Sequence, residues 1–291
     1  MFVEAIERVG QYTRPLHTIT RTYGGFISAG SATLFFVNEF GVAVTCKHVL
    51  ELILQADSIN QNYQNFKTEK RNLSIGQNLS DLENRYNYRN ESIIQMKNNF
   101  VNSVSSFQNL TCHAHATLDL AIIRFEGYSQ KFYGSHAVFL KDSSNIKQGK
   151  SLCRLGYPFP EFSNFWHNQN TDDIEWTNTG NPNSPSFPID GIVTRFGADA
   201  VGSKINTIEI STPGLRGQSG GPLFDTKGLV YGMQSMTSHL HLGFDIQEQE
   251  VIINGKPTKV SNHPYLHVGH CIHVDRIKEF LRENNVKFYE E

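Results

Sequence analysis

The sequence predicts an all-β protein, a barrel or sandwich of short strands that is followed by one terminal helix. Short runs of alternating or continuous apolar residues recur along the chain, as is typical of strands. Glycines, 23 among 291 residues, are plentiful enough for a fold of many tight turns. With 38% hydrophobic and 19% charged residues, the chain has the composition of a globular protein with a sizeable core.

The first half of the chain is predicted to open with a short helix at residues 2–9. Alternation over 17–23 predicts a strand that ends at two glycines. Residues 32–38 and 42–49 are predicted to pair as a hairpin. The largely apolar segment LDLAIIRF, at 118–125, is predicted to form a further strand.

The second half is predicted to contain five strands and the terminal helix. The strands are expected at 151–158, 191–197, 207–212, 228–236 and 267–274. In the helix, at 274–284, Ile277 and Phe280 share one face, and Asp275 is expected to cap the first turn. Residues 160–188, rich in Asn, Pro and Ser, are expected to form a long loop near the substrate.

Residues 50–110, here called the insertion, differ from the rest and contain twelve asparagines. Apolar residues recur there at helical spacing, first Leu79, Leu82 and Tyr86, and then Ile93, Met96, Phe100, Val104 and Phe107. The pattern predicts a partly helical insertion that packs against the first half of the fold. The alternative is a regulatory role, with a protein partner bound through residues 50–110.

Charge and hydropathy exclude several kinds of partner. The net charge is −2 and no basic block stands out, so no nucleic-acid partner is predicted. No apolar stretch reaches 18 residues, so no membrane association is predicted. The N-terminus lacks the apolar run of a secretory signal, and the four cysteines are widely spaced without a CxxC pair. These features predict a cytoplasmic protein with reduced thiols.

The strongest chemical motif is GQSGGP, at 217–222. A serine hydroxyl becomes a nucleophile only when a base takes its proton, and it needs donors for the oxyanion that forms. Glycines around Ser219 permit a tight turn that presents bare N–H groups. The N–H groups of Gly217 and Ser219 are therefore predicted to form an oxyanion hole. The alternative is a Gly-rich hairpin with an incidental serine.

His48 and Asp119 are the candidate base and its orienting acid. His48 follows an apolar strand, and Asp119 opens the apolar run at 118–125, where burying a carboxylate is costly without a partner. Taken alone, each is explained as an ordinary residue at a strand terminus. Together with Ser219 they occur in the order His, Asp, Ser, which predicts a catalytic triad in which Asp119 accepts from His48 Nδ1–H.

A second constellation has the residue types of a zinc site. It consists of Cys112, His113 and His115 with His263, His267, His270, Cys271 and His273. The spacing matches no zinc motif, and His270 and Cys271 would point to opposite faces of a strand. No metal and no other cofactor is therefore predicted. A metal-stabilised β protein, in which GQSGGP is only a turn, remains the alternative.

Several segments resemble the chymotrypsin/trypsin-like serine peptidases of clan PA, nearest to the bacterial Deg-type branch. They are the approach to TCKHV, then DLAII, GYP, GIVTR, GQSGGPLFD and GLVYGMQS, and they span most of residues 20–280. The resemblance implies two six-stranded antiparallel β-barrels with the site between them. Residues 1–145 would form the first barrel and its insertion, and 146–291 the second barrel and the C-terminal helix, together one peptidase domain.

The resemblance also implies a serine endopeptidase that cleaves protein or peptide substrates through an acyl-enzyme. Pro213 falls at the pocket floor, beside Gly214, and Ser235, Met236 and Thr237 would bind substrate. The sequence departs from digestive relatives at Gln218, where they carry an aspartate, and it has too few residues after 285 for the peptide-binding domain of Deg-type enzymes. A catalytically inactive binding or scaffolding module, or an enzyme latent until triggered, are the alternatives.

Overall fold

The computed structural model describes residues 1–73, 78–199 and 201–291. Strands dominate it, and four α-helices accompany them: α1 Val3–Gly10, α2 Lys47–Arg71, α3 Leu79–Arg85 and α4 Val274–Glu283. No helix among these residues is long and apolar enough to span a membrane.

The first half of the chain forms a six-stranded antiparallel sheet that curls into a half-barrel. Its strands are β1 Thr13–Thr22, β2 Ile27–Phe36, β3 Val42–Thr45, β4 Ile93–Phe100, β5 Asn109–Ala114 and β6 Ala121–Glu126. Their order is β4-β1-β2-β3-β6-β5, so β4 and β5 lie at the two edges. Most paired strands follow each other along the chain. The exceptions are the β1–β4 and β3–β6 pairs, whose members are separated in sequence by part or all of the insertion.

The second half forms a closed barrel. Its elements in chain order are β7 Val138–Phe139, β8 Ser151–Gly156, β9 Phe165–Asn168, β10 Asp173–Trp176, β11 Phe187–Ala198, β12 Ile205–Ile210, β13 Pro222–Phe224, β14 Val230–His241, β15 Ile246–Ile253, β16 Lys256–Asn262, β17 Tyr265–His273 and β18 Tyr289–Glu290. Six strands run in the order β13-β8-β11-β12-β17-β14, and the β13–β14 pairing closes the ring. The chymotrypsin-like double-barrel fold predicted from the sequence is confirmed.

One hydrophobic core joins the two halves. Phe35 and Ile122 from the first sheet belong to the same buried cluster as Leu223 and Val230 from the second barrel. Burying apolar surface between the sheets fixes their relative position. The cleft between them, where β3 ends and the loop before β13 begins, is therefore held rigidly.

The insertion is partly helical, as predicted, but the helical pattern over Ile93, Met96, Phe100, Val104 and Phe107 does not correspond to a helix. Residues 93–100 form strand β4, which pairs with β1 over Leu16 to Thr22. Pairing with a strand some 80 residues earlier overrides the local pattern. The short helix predicted around Leu79 and Leu82 is present as α3. Residues 74–77 of the insertion lie outside the described residues.

Helix α2 covers the outer edge of β4. The Asn60 side chain accepts from Met96 N at 2.9 Å and donates to Met96 O at 2.7 Å, so it satisfies an edge position that would otherwise face water. Tyr63 and Phe66 of the same helix pack against Ile94 in a second buried cluster. The packing role predicted for the insertion is therefore present.

Three further predictions need correction. The strand expected at 42–49 ends at Thr45, because α2 begins at Lys47. The loop expected at 160–188 contains β9 and β10, a hairpin, and the start of β11. The C-terminal helix is capped by His273 and not by Asp275, since His273 Nδ1 accepts from the Asp275 backbone N–H. The division of the chain after residue 145 stays a prediction.

Candidate active site

His48 lies on the first turn of α2. Cys46, in extended conformation, separates β3 from this helix. The His48 side chain is 48% exposed toward the cleft, and its Nδ1 lies 2.9 Å from Asp119 Oδ2 and 3.0 Å from Oδ1. The backbone N–H of His48 also donates to Asp119 Oδ1, at 3.0 Å. Because Asp119 accepts from both the backbone N–H and the Nδ1–H of His48, it orients the ring and places the proton on Nδ1, which leaves Nε2 as a base.

Asp119 stands two residues before the start of β6 and accepts hydrogen bonds from both halves of the molecule. Ser235 Oγ, on β14 of the second barrel, donates to Asp119 Oδ2 at 2.6 Å. Burial on its own would raise the pKa of Asp119, but the hydrogen bonds from His48, Ser235 and the His48 backbone outweigh it and lower the pKa to about 2. The carboxylate therefore stays ionised at neutral pH.

The hydrogen bond to Asp119 raises the pKa of His48 above its ordinary value of 6.5, against the opposing effect of burial. The imidazolium that forms when His48 accepts a proton is stabilised by the same carboxylate. This pairing is the behaviour expected of a general base.

Ser219 is presented by a glycine-rich loop that the first sheet holds in place. The Ser219 carbonyl accepts from Thr33 N at 3.0 Å. Gly220, at φ +87°, packs so closely on Thr33 that a Cβ would overlap the Thr33 carbonyl. The Ser219 hydroxyl donates to the Ser235 carbonyl at 3.4 Å, and within the described residues it makes no hydrogen bond to His48.

The two N–H groups predicted to form the oxyanion hole make no hydrogen bond within the described residues. Among the described residues, nothing accepts from the N–H groups of Gly217 and Ser219, whereas Gln218 N between them donates to Leu215 O at 3.0 Å. Gly217, at φ +91°, leaves no room for a side chain, because a Cβ would lie 2.5 Å from Tyr157 O. Two free N–H donors on either side of Gln218, next to a serine hydroxyl, are what stabilisation of an oxyanion requires.

Gln218 explains how the loop is held without the aspartate of digestive relatives. It is fully buried. Its side-chain Oε1 accepts from Leu215 N at 3.0 Å, and its Nε2 donates to Phe187 O at 3.0 Å. The loop is therefore locked by neutral hydrogen bonds that need no new N-terminus.

A pocket of about 410 Å³ opens beside Ser219. It is lined by Pro213, Gly214, Leu215, Arg216, Ser219, Gln234, Ser235, Met236, Thr237, His239 and His267. All five residues predicted to bind substrate are in this set. No sequence pattern points to Leu215, Arg216, Gln234 or His267 as lining residues, because their positions depend on how β14, β17 and the loop before Ser219 meet. The assignment of roles to these residues stays a prediction.

Two buried residues behind the site were not expected to matter. Cys46 is fully buried and its thiol donates to Gln234 O at 3.2 Å. Burial raises the pKa of this thiol, so it stays protonated beside Asp119. Arg154, on β8, is also fully buried and contacts Gln234 and the residues around Pro213.

The structure disperses the zinc-type residues near the C-terminus. His273 caps α4, His270 faces Glu209 at 3.8 Å, and His267 Nδ1 lies 2.6 Å from His239 Nδ1. His241, Asp245 and His263 do come together, close enough to hold a metal ion. Both imidazoles lie 2.8 Å from Asp245 Oδ1, and hydrogen bonds account for that arrangement.

Comparisons with known proteins concern the family and the fold of this chain. The model of the trypsin-like peptidase domain family matches residues 30–233. A solved structure of the HtrA-type protease AlgW with a decapeptide has a TM-score of 0.52 at 12% identity, covering 97% of this chain and 67% of that chain. Another, with a tripeptide, has a TM-score of 0.47 at 13% identity, covering 98% and 65%. The chain spans about two thirds of the length of these structures, and no curated protein sequence matches it.

Proposed function

Because this chain belongs to the trypsin-like peptidase domain family, we propose that it is a serine endopeptidase acting on proteins or peptides. One observation carries the proposal. Asp119 of the first half is hydrogen-bonded both to His48 and to Ser235 of the second half, beside a serine whose neighbouring N–H groups are free. An ordered imidazole, an ionised carboxylate and a glycine-framed serine are the parts that acyl transfer needs.

In the proposed mechanism, Ser219 turns from the Ser235 carbonyl toward His48 Nε2, which takes its proton as the hydroxyl attacks a peptide carbonyl. The N–H groups of Gly217 and Ser219 stabilise the oxyanion. Asp119 stabilises the imidazolium, which then protonates the leaving amine. Water, activated by the same imidazole, hydrolyses the acyl-enzyme and regenerates Ser219.

Labelling with a neutral fluorescent fluorophosphonate tests the activated serine. The protein is expected to label, and Ser219→Ala is expected to abolish labelling. Ser58→Ala, on the surface of α2, is a matched control that should label fully. Equal labelling of the Ser219→Ala variant would refute Ser219 as the nucleophile.

Two alternatives have specific support. The Ser219 hydroxyl bonds to Ser235 O and not to His48, which favours a latent enzyme or a binding module on a protease fold. Latency would involve the insertion, since His48 lies on the first turn of α2, the helix that continues into the insertion. Labelling that appears only after a protein partner binds residues 50–110 would identify latency. A folded protein that never labels would favour the binding module. A cytoplasmic location remains our proposal.

A further inference from the structure

The wall of the pocket is backed by a buried cation. Arg154 has no exposed surface, and its guanidinium donates to four acceptors. They are Gln234 Oε1 at 2.7 Å, Thr212 Oγ1 at 2.6 Å, Thr212 O at 3.0 Å and Pro213 O at 3.1 Å. All four are neutral groups.

Within the part of the chain that the structure describes, Arg154 has no counter-ion, because no carboxylate lies within ion-pair distance of its guanidinium. Guanidinium groups remain protonated in proteins, and buried charges are almost always paired. Two of its acceptors belong to Pro213 and Gln234, which line the pocket, so the unpaired charge stands one residue behind the pocket wall.

Arg154 also fixes the orientation of Gln234. Because a guanidinium only donates, Gln234 presents Oε1 to it, and its amide nitrogen lies on the opposite side, 2.9 Å from Met236 O. The same nitrogen packs so closely on Gly214 that a Cβ on that residue would overlap the nitrogen. The donor end of this amide therefore lies on the side of Gly214 and Met236, both of which line the pocket.

Arg216 is the charged side chain among the residues that line the pocket, and two imidazoles accompany it. Arg216 stands exposed at its rim, and His239 and His267 lie together on the β14–β17 side. No carboxylate lines the pocket among the described residues. Two carboxylates near these residues are already engaged: Asp119 with His48 and Ser235, and Asp245 with His241 and His263.

We propose that this pocket binds the carboxylate side chain of a substrate glutamate or aspartate, which supplies the counter-ion that Arg154 lacks. That the acidic residue directly precedes the cleaved bond rests on the proposed function, since it places the pocket beside the acylated serine. A lysine or arginine side chain would bring a second cation toward Arg154 and Arg216. An aliphatic side chain would leave the charge unpaired.

The test is cleavage of peptides that are identical except for Glu, Gln, Leu or Lys before the scissile bond. We expect kcat/KM for Glu to exceed that for the isosteric Gln at least tenfold, with Lys the poorest. Arg216→Gln should lower the Glu-to-Gln ratio at least threefold. Arg71→Gln, at the far end of α2, is the matched control and should leave the ratio unchanged. Arg154→Met is expected to abolish the preference, provided that its melting curve shows a folded protein.

Neutral fluorophosphonate labelling separates failure of this proposal from failure of the enzyme. If Ser219 labels but Leu or Lys is cleaved as well as Glu, the pocket proposal is wrong and the peptidase stands. If Ser219 does not label, fluorescence polarisation with labelled peptide acids ending in Glu or Gln decides. At least tenfold tighter binding of the Glu peptide supports the pocket, and equal or undetectable binding of both overturns it.

Discussion

Ser235 Oγ and Asp119 Oδ2 are 2.6 Å apart, and this hydrogen bond joins β14 of the second barrel to the strand end that carries the candidate orienting carboxylate of the first. The proposed site is thus assembled only when the two halves are docked. Hydrogen bonds to charged groups contribute about 1.5–3 kcal/mol. The relationship has consequences that can be measured.

Ser235→Ala should lower kcat/KM for a peptide substrate by roughly tenfold or more, because Asp119 loses one of its donors and orients His48 less well. Steady-state kinetics on matched peptides measures this. Ser238→Ala, on the same strand, is the control and should have wild-type kinetics. Wild-type kinetics in the Ser235→Ala variant would show that the hydrogen bond has no part in catalysis.

The rate should rise with pH, with a midpoint above 6.5. His48 must be neutral to accept a proton, and the hydrogen bond to Asp119 raises its pKa. The same shift makes protonated His48 stabilising below pH 6.5, a contribution lost as pH rises through the raised pKa. A pH profile of kcat/KM checks the midpoint.

Asp119→Asn should lower kcat by roughly 10⁴, because an amide favours the wrong tautomer of the imidazole. The midpoint of any residual activity should fall. A residual profile identical to that of the wild type would contradict the assigned role of Asp119.

Thr33→Val should destabilise the fold by about 1–3 kcal/mol and also reduce kcat. The Thr33 hydroxyl donates to Gly217 O at 2.7 Å and accepts from Tyr157 N at 3.1 Å, so valine leaves a buried N–H unpaired and releases the loop around Ser219. Calorimetry measures the loss of stability, and steady-state kinetics measures the change in kcat. Thr68→Val, exposed on α2, is the control. A Thr33→Val variant with wild-type stability and unchanged kcat would show that the Thr33 hydroxyl does not support the loop around Ser219.

Acid should destabilise the protein through His17. It is buried, stacks on Phe162 and lies 2.8 Å from Ser184 Oγ, and burial lowers its pKa to about 4. Because the folded pKa lies below the unfolded value of 6.5, the stabilisation is present above pH 6.5 and is lost as pH falls toward 4, by about 3 kcal/mol in all. Denaturant titrations should show that the free energy of unfolding of His17→Gln depends less on pH than that of the wild type. His113→Gln is the control, and its free energy of unfolding should keep the wild-type pH dependence.

The sequence predicted the strands that carry strong local patterns and the three residues of the proposed triad. It failed at β4, where Ile93, Met96 and Phe100 fit a helix as well as a strand, and pairing with β1 decides between them. Nor could it show the state of Arg154. The segment at 151–158 is predicted as a strand, but the acceptors that surround its arginine come from Thr212, Pro213 and Gln234, 58 to 80 residues away.

Helix α2 begins beside the cleft at Lys47 and runs 25 residues to Arg71, and its Asn60 is bonded to the edge of β4. The insertion is therefore not a detachable module. A minimal version of the protein that removed residues 50–110 would take away β4 and all but the first turn of the helix that holds His48. Truncation should therefore cost both folding and chemistry, whereas replacement limited to the segment after Arg71 leaves that helix complete.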